Sequence, residues 1–302
     1  MPESLSQSST LEINNISIEV EQKHYTSHLL SIQKNALPLI NPYALTRFEQ
    51  ISQTNATTLF DEIDKDLAPF SKIAIVHPSI FSKIHKTPSW VGAYLWWDGN
   101  VIYRLDYINT VLSGNGEFGG EQFTIAYFEE ENKHELLHSA HQAAFLQNQE
   151  DILKHLATTS LWYIEGLVEA ATRKKSKMTE MQLVHKLNIA LTQFPEFSIQ
   201  TLTDSFWQYC QLPTGKNFAY QYCRYFVSHL AKIVNQQLYP NQSALPFKGA
   251  HSILSTATKK YNQGCRKNIF AAIEQKTKLN KQDVLNIETN WRQEFLNPQN
   301  RF

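Results

Sequence analysis

Residues 127–146, YFEEENKHELLHSAHQAAFL, form a helix-compatible run with acidic residues in its first turns, where the helix dipole favours negative charge. Within it His134 and His138 are four residues apart, so on a helix their imidazoles project from one face about one turn apart. That spacing lets two ring nitrogens reach one zinc ion. Glu135 follows His134 directly, which puts a carboxylate within reach of a metal-bound water without taking the same coordination position. Zinc lowers the pKa of such a water, and a neighbouring carboxylate can take its proton as the water attacks a carbonyl. The pentad HELLH alone is a modest signal, since a helix can carry two exposed histidines with no metal between them.

The segment 161–170, LWYIEGLVEA, strengthens it. A catalytic zinc site wants three protein ligands and one open position, and Glu165 supplies the missing ligand type. It lies on a second helix-compatible stretch, 26 residues separating it from His138, enough for the chain to turn and run back. Glu169 falls one turn further on the same face, where a carboxylate can accept the free N–H of a ligating histidine and fix its tautomer.

HELLH followed by WYIEGLVEA resembles the gluzincin metallopeptidases, the thermolysin-like group of the peptidase MA superfamily whose third ligand is a glutamate. The likeness is closest to peptidase MA-like domains with a Trp-x-x-Glu-Gly-x-x-Glu second motif, here Trp162, Glu165, Gly166 and Glu169. Such domains begin with a strand, a long helix and a small mixed sheet before the HExxH helix. They often continue with a helix carrying a Tyr ahead of a Phe-Val-x-x-Leu stretch, matched by Tyr220, Phe226, Val227 and Leu230, and end in a helix with a Trp-Arg pair, matched by Trp291-Arg292. The similarity covers about residues 10 to 296, specific at the two metal motifs and loose elsewhere. The resemblance implies one zinc ion per chain held by His134, His138 and Glu165, with Glu135 as general base and Glu169 behind the ligands. It makes Tyr220 a donor to the oxyanion of a tetrahedral intermediate; packing between lobes is an equal alternative for this side chain, and Tyr222 and Tyr225 lie close enough to be confused with it. The implied activity is hydrolysis of peptide bonds in a peptide or protein substrate.

Other readings use the same residues. Glu131 to His134 and Glu135 to His138 are both Glu-x-x-His pairs, the unit of di-iron carboxylate bundles, but those bundles want the pairs on separate long helices and here they overlap on one. A catalytically inactive zinc-binding or protein-interaction module on the same fold is a further alternative, against which the intact Glu135 argues. His141 continues the face of His134 and His138 without the glycine turn that brings a third histidine to a metal. It is expected at the rim of the site or behind the ligands, and His155 as an ordinary surface or packing residue.

Around these motifs the chain reads as α+β. Ile16 to Val20 alternates apolar and polar residues as a strand does, and Tyr43 to Leu67 carries helical spacing with a break near Asn55. Lys72 to Val76 is a short strand stopped by Pro78. Val91 to Trp97 and Val101 to Tyr107 flank Asp98-Gly99-Asn100 and predict a hairpin, because Gly tolerates the positive φ of a tight turn. One of its strands is expected to pair with extended substrate, and Trp90, Trp96 and Trp97 to line a cleft or the core. Four of the ten glycines fall within Gly114 to Gly120, which predicts a mobile loop, either a plain connection or a substrate-facing lid. Beyond residue 175 six segments read as helices: Glu180 to Leu191, Ile199 to Cys210, Phe218 to Leu238, Ala250 to Tyr261, Arg266 to Gln275 and Gln282 to Leu296. Prolines fall between them or at their edges. The expected organisation is a zincin-like catalytic lobe over residues 10–175, with a small mixed sheet and the HExxH helix. An all-helical lobe over 176–302 would complete an active-site cleft.

Composition bounds the partners. Lys and Arg total 28 against 28 Asp and Glu, so no excess positive charge argues for nucleic acid or an anionic membrane. The three cysteines, Cys210, Cys223 and Cys265, lack Cys-x-x-Cys spacing and read as buried thiols rather than a disulfide framework or a thiolate site. The N-terminus has neither a basic start nor an apolar run, and no stretch has the length of a membrane span, so a soluble chain is expected, cytoplasmic or exported by a signal-independent route unless a signal peptide has been trimmed from it.

Overall fold

The computed structural model describes residues 10–16, 28–62, 73–84, 91–95, 101–114, 116–145, 161–172, 179–210, 216–241, 245–262 and 269–296. The chain divides into two compact units, residues 1–149 and 150–302. The fold is α+β, and among the described residues no helix is long and apolar enough to cross a membrane.

The first unit is built on a five-stranded mixed sheet in the order β1-β2-β3-β5-β4. Its centre is parallel: β2 (His28–Gln33) pairs with β3 (Ile73–Val76), and β3 pairs with β5 (Val101–Arg104). Its edges are antiparallel, β1 (Thr10–Ile16) on β2 and β4 (Ala93–Leu95) on β5. The strand read from Ile16 to Val20 touches the described residues only at Ile16, the last residue of β1. The hairpin is present, with Ala93 opposite Tyr103 and Leu95 opposite Val101. Its turn, Asp98-Gly99-Asn100, and Trp90, Trp96 and Trp97 lie outside the described residues.

The strand read through Tyr107 instead ends at Arg104, and Leu105–Leu112 is a helix, α3. Leu105, Ile108, Val111 and Leu112 are all buried, so the apolar run that suggested strand serves a helix face equally well. Helix α1 spans Pro42–Glu62. Pro42 suits a first helical position, and Asn41 Oδ1 accepts from the main-chain N–H of Tyr43 at 2.9 Å. Ala44, Phe48, Ile51, Ala56 and Leu59 form its buried face. The helix runs through Asn55 without the expected break, because the Asn55 side chain is spent on a neighbouring helix rather than on its own backbone. Pro78, expected to stop β3, also opens a short helix α2, Pro78–Ile84.

Within the glycine-rich stretch, read as a mobile loop, the described residues 117–122 form a tight hairpin. Strands β6 (Glu117–Phe118) and β7 (Glu121–Gln122) pair across Gly119 and Gly120, whose φ values are +60° and +83°. Two successive positive φ angles are what a two-residue turn of this hand requires. Phe118 anchors the hairpin edge-on against Tyr107 at 4.9 Å, and the guanidinium of Arg104 lies over the Phe118 ring at 4.8 Å. Helix α4, Ile125–Phe145, packs on α1, α3, β4 and β5. Phe48, Tyr103 and Phe128 meet where α1, β5 and α4 converge, with the Phe48 and Tyr103 rings 4.9 Å apart.

The second unit is helical in its described residues: α5 (Leu161–Thr172), α6 (Glu180–Gln193), α7 (Ile199–Cys210), α8 (Lys216–Leu238), α9 (Lys248–Asn262), α10 (Ile269–Thr277) and α11 (Lys281–Leu296). The six helices expected after residue 175 are all present; the first residues read into the fifth, 266–268, lie outside the described residues. Helix α6 starts with a capping box, Gln182 N–H donating to Thr179 Oγ1 and Thr179 N–H to Gln182 Oε1. Asn280 and Asp283 make the same reciprocal pair ahead of α11.

Helix α8 is the hub, packing against every other described helix of this unit. Its contact with α5 depends on Gly166, where a Cβ would stand 2.7 Å from both the Cys223 carbonyl oxygen and Val227 Cγ2. Cys223 is buried and Cys210 half-buried, neither in a disulfide, while Cys265 lies outside the described residues. Burial, ahead of the nearby Cys210 and Glu165, holds the Cys223 thiol well above its ordinary pKa.

Candidate metal centre

Helix α4 presents His134 and His138 one turn apart, with their Nε2 atoms 3.0 Å from each other. The two rings lie 4.6 Å apart at 74°. His134 is buried, 7% exposed, while His138 and Glu135 are half-buried. Leu136, Leu137 and Ala140 on the same helix are buried in the core.

His134, His138 and Glu165 each offer a ligand atom, and these atoms lie within 4.8 Å of one another. A four-coordinate zinc with bonds of about 2.0–2.2 Å sets its ligand atoms about 3.3–3.6 Å apart. The 3.0 Å nitrogen pair and the 4.8 Å limit bracket that spacing, and two imidazole nitrogens with a carboxylate oxygen are a donor set that zinc accepts. The residues present therefore fit one metal ion.

The other expected residues fall out as follows. Glu169 sits one turn after Glu165 on α5 and is 4% exposed. His141 is 3% exposed, so it is not at a rim. His155 lies outside the described residues. Tyr220, on α8, is half-buried and packs edge-on to Phe206 at 5.3 Å. Of its two rivals, Tyr222 is committed elsewhere. The fully buried Tyr222 hydroxyl donates to Glu288 Oε1, which also accepts the Ile199 N–H at 2.9 Å. Tyr225 lies against Phe295 at 5.7 Å. Burial raises the pKa of Glu288, an effect opposed by the Tyr222 and Ile199 hydrogen bonds and by Arg292. Arg292 also donates to the Phe197 carbonyl at 2.9 Å, so the Trp291-Arg292 pair serves packing at the end of the chain.

A polar cluster beneath α4 has no counterpart in the motifs. Asn132 is fully buried, and it bonds to Ser52, Asn55 and Tyr103. Tyr107 donates its hydroxyl to Glu131. Burial, then the negative charges of Glu135 and Glu131, hold the Tyr103 hydroxyl well above its ordinary pKa, so it stays protonated. The signal available in sequence was an asparagine inside an otherwise good helix, a residue that favours caps and turns unless its side chain is engaged. The chain matches no family model, no curated protein and no solved structure.

Proposed function

We propose that this chain is a zinc-dependent metallopeptidase of the gluzincin type, with a zincin-like arrangement around α4. The observation that carries the reading is the convergence of His134, His138 and Glu165 ligand atoms within 4.8 Å, with a carboxylate, Glu135, next to the first histidine. His134, His138 and Glu165 would hold the ion. Bound there, zinc supplies Lewis acidity, polarising a carbonyl and making water acidic enough to act near neutral pH. Glu135 takes the proton from the attacking water and returns it to the departing amine, as a general base and then a general acid. Tyr220 is the candidate donor to the developing oxyanion.

Strand β4 supports a peptide substrate in particular. It is the last strand in the sheet order and packs on α4, so its outer edge can receive an extended peptide backbone beside the helix that carries the chemistry. The test compares native protein with Glu135→Gln on a mixed peptide library, reading new termini. Native protein should cleave, and Glu135→Gln should keep its metal while losing roughly 10²- to 10⁴-fold in rate. Native-like cleavage by Glu135→Gln removes Glu135 from the mechanism, and no cleavage by either protein removes the peptidase reading.

A further inference from the structure

The carboxamide of Asn132 lies two residues before His134, is fully buried, and has every hydrogen-bonding group in use. The direction of each bond follows from one fixed point. Asn55 Nδ2 lies 2.8 Å from the Glu129 carbonyl oxygen, which can only accept. Its nitrogen therefore faces α4, and the partner 2.9 Å away must be the Asn132 oxygen. The Asn132 nitrogen then gives one hydrogen to Ser52 Oγ at 3.0 Å and the other to the Tyr103 hydroxyl at 2.9 Å. Tyr103 thus accepts from Asn132. Glu135 lies three residues beyond Asn132, on the same side of the helix, and its charge is felt at Tyr103. The other nearby carboxylate, Glu131, already receives the Tyr107 proton.

Apolar burial is non-directional, so Phe128, Leu136, Leu137 and Ala140 hold α4 against the core but fix its rotation less sharply than directed bonds do. We propose that Asn132 is the positioning residue of the candidate metal centre. By tying α4 to α1 through Ser52 and Asn55, and to β5 through Tyr103, it fixes the rotation of the HELLH turn. The His134 and His138 nitrogens then converge. This rests on the metal-site reading above, and it asks nothing of the substrate.

Cobalt(II) titration of metal-free full-length protein tests it, reading affinity by chelator competition and the visible absorption at saturating cobalt. Native protein should bind one cobalt with the strong bands of a low-coordinate site. Asn132→Leu keeps the size of the side chain and removes all of its bonds; it should weaken cobalt affinity roughly 10- to 100-fold and alter the saturated spectrum. Ser52→Ala and Asn55→Ala on α1 should act in the same direction by less, and they carry the test if Asn132→Leu does not fold. A purely structural Asn132 would lower the melting temperature and leave the saturated spectrum and affinity unchanged; that result in any folded variant overturns the proposal. Native protein that binds no cobalt overturns the metal-site reading itself and the proposal with it, whereas cobalt binding by native and variants alike removes only the proposal.

Discussion

In the proposed zinc centre, Glu165 is the side chain on which the metal class would turn. Two histidines one turn apart bind many ions weakly, and the third, anionic ligand sets both affinity and the open coordination position. Glu165→Ala should weaken zinc affinity by about 100-fold or more, the upper range for a supporting ligand partner, measured by competition with a chromophoric chelator; native affinity would mean the third ligand lies elsewhere. The tyrosines separate by a different readout. Tyr220→Phe should leave zinc affinity alone and lower kcat by about 10²- to 10³-fold if its hydroxyl faces the oxyanion. Tyr222→Phe should instead cost about 1–3 kcal/mol of stability in urea unfolding, because buried Glu288 loses a donor. The grouping of His134, His138 and Glu165 was legible from spacing, since metal geometry demands particular residue types at particular intervals. Asn132 and Glu288 were not, because each is defined by partners far along the chain, Asn132 by Ser52 and Tyr103 and Glu288 by Ile199 and Tyr222. Spacing within one segment carries no trace of such partners.

The elements are set by close approaches as much as by periodicity. Gly166 lets α5 and α8 touch, and Gly166→Ala would push a methyl to 2.7 Å from the Cys223 carbonyl and Val227. It should destabilise the protein by about 1–3 kcal/mol, the ordinary cost of overpacking, read as a shift in urea midpoint at unchanged slope; a neutral substitution would mean the two helices separate freely. His251 on α9 gives this unit a pH dependence. Burial lowers its pKa from 6.5 to about 3. The folded chain keeps it neutral while the unfolded chain protonates near 6.5, so above that pH it contributes no slope. Between 6.5 and 3 the unfolded state binds the extra proton, and stability falls by about 1.4 kcal/mol per pH unit from this group. Urea unfolding at pH 7, 6 and 5 should show that loss in native protein and a shallower one in His251→Leu; equal slopes would contradict it. Helix positions read well from sequence because α1 and the six helices after residue 175 carry sustained 3.6-residue patterns with capping and proline signals. The shorter pieces did not. Leu105 to Leu112 is too short for periodicity to separate helix from strand, and the paired turn glycines 119 and 120 closed a hairpin where a cluster of glycines suggested only a mobile loop.

At the scale of the whole chain, the mixed sheet with its parallel centre was only partly visible. Strand β2, between β1 and β3 in the sheet, was absent from the reading, since parallel order depends on which distant strands pair and not on any local signal. The α+β class was visible because strand-like and helix-like segments alternate up to about residue 175, after which the pattern is helical. If the native state binds zinc and the unfolded chain does not, free zinc at 100 times its dissociation constant adds about 2.7 kcal/mol of stability. Exhaustive chelation should therefore lower the melting temperature of native protein and leave that of His134→Ala unmoved; an unchanged native melting curve would mean that folding and metal binding are not linked. The most direct measurement is the metal content of the native chain purified without added metal, by elemental analysis, beside His138→Ala and Glu165→Ala. A site made by His134, His138 and Glu165 predicts about one zinc per native chain and a large loss in both variants. No zinc in the native protein, two irons per chain, or zinc retained in full by both variants would contradict it.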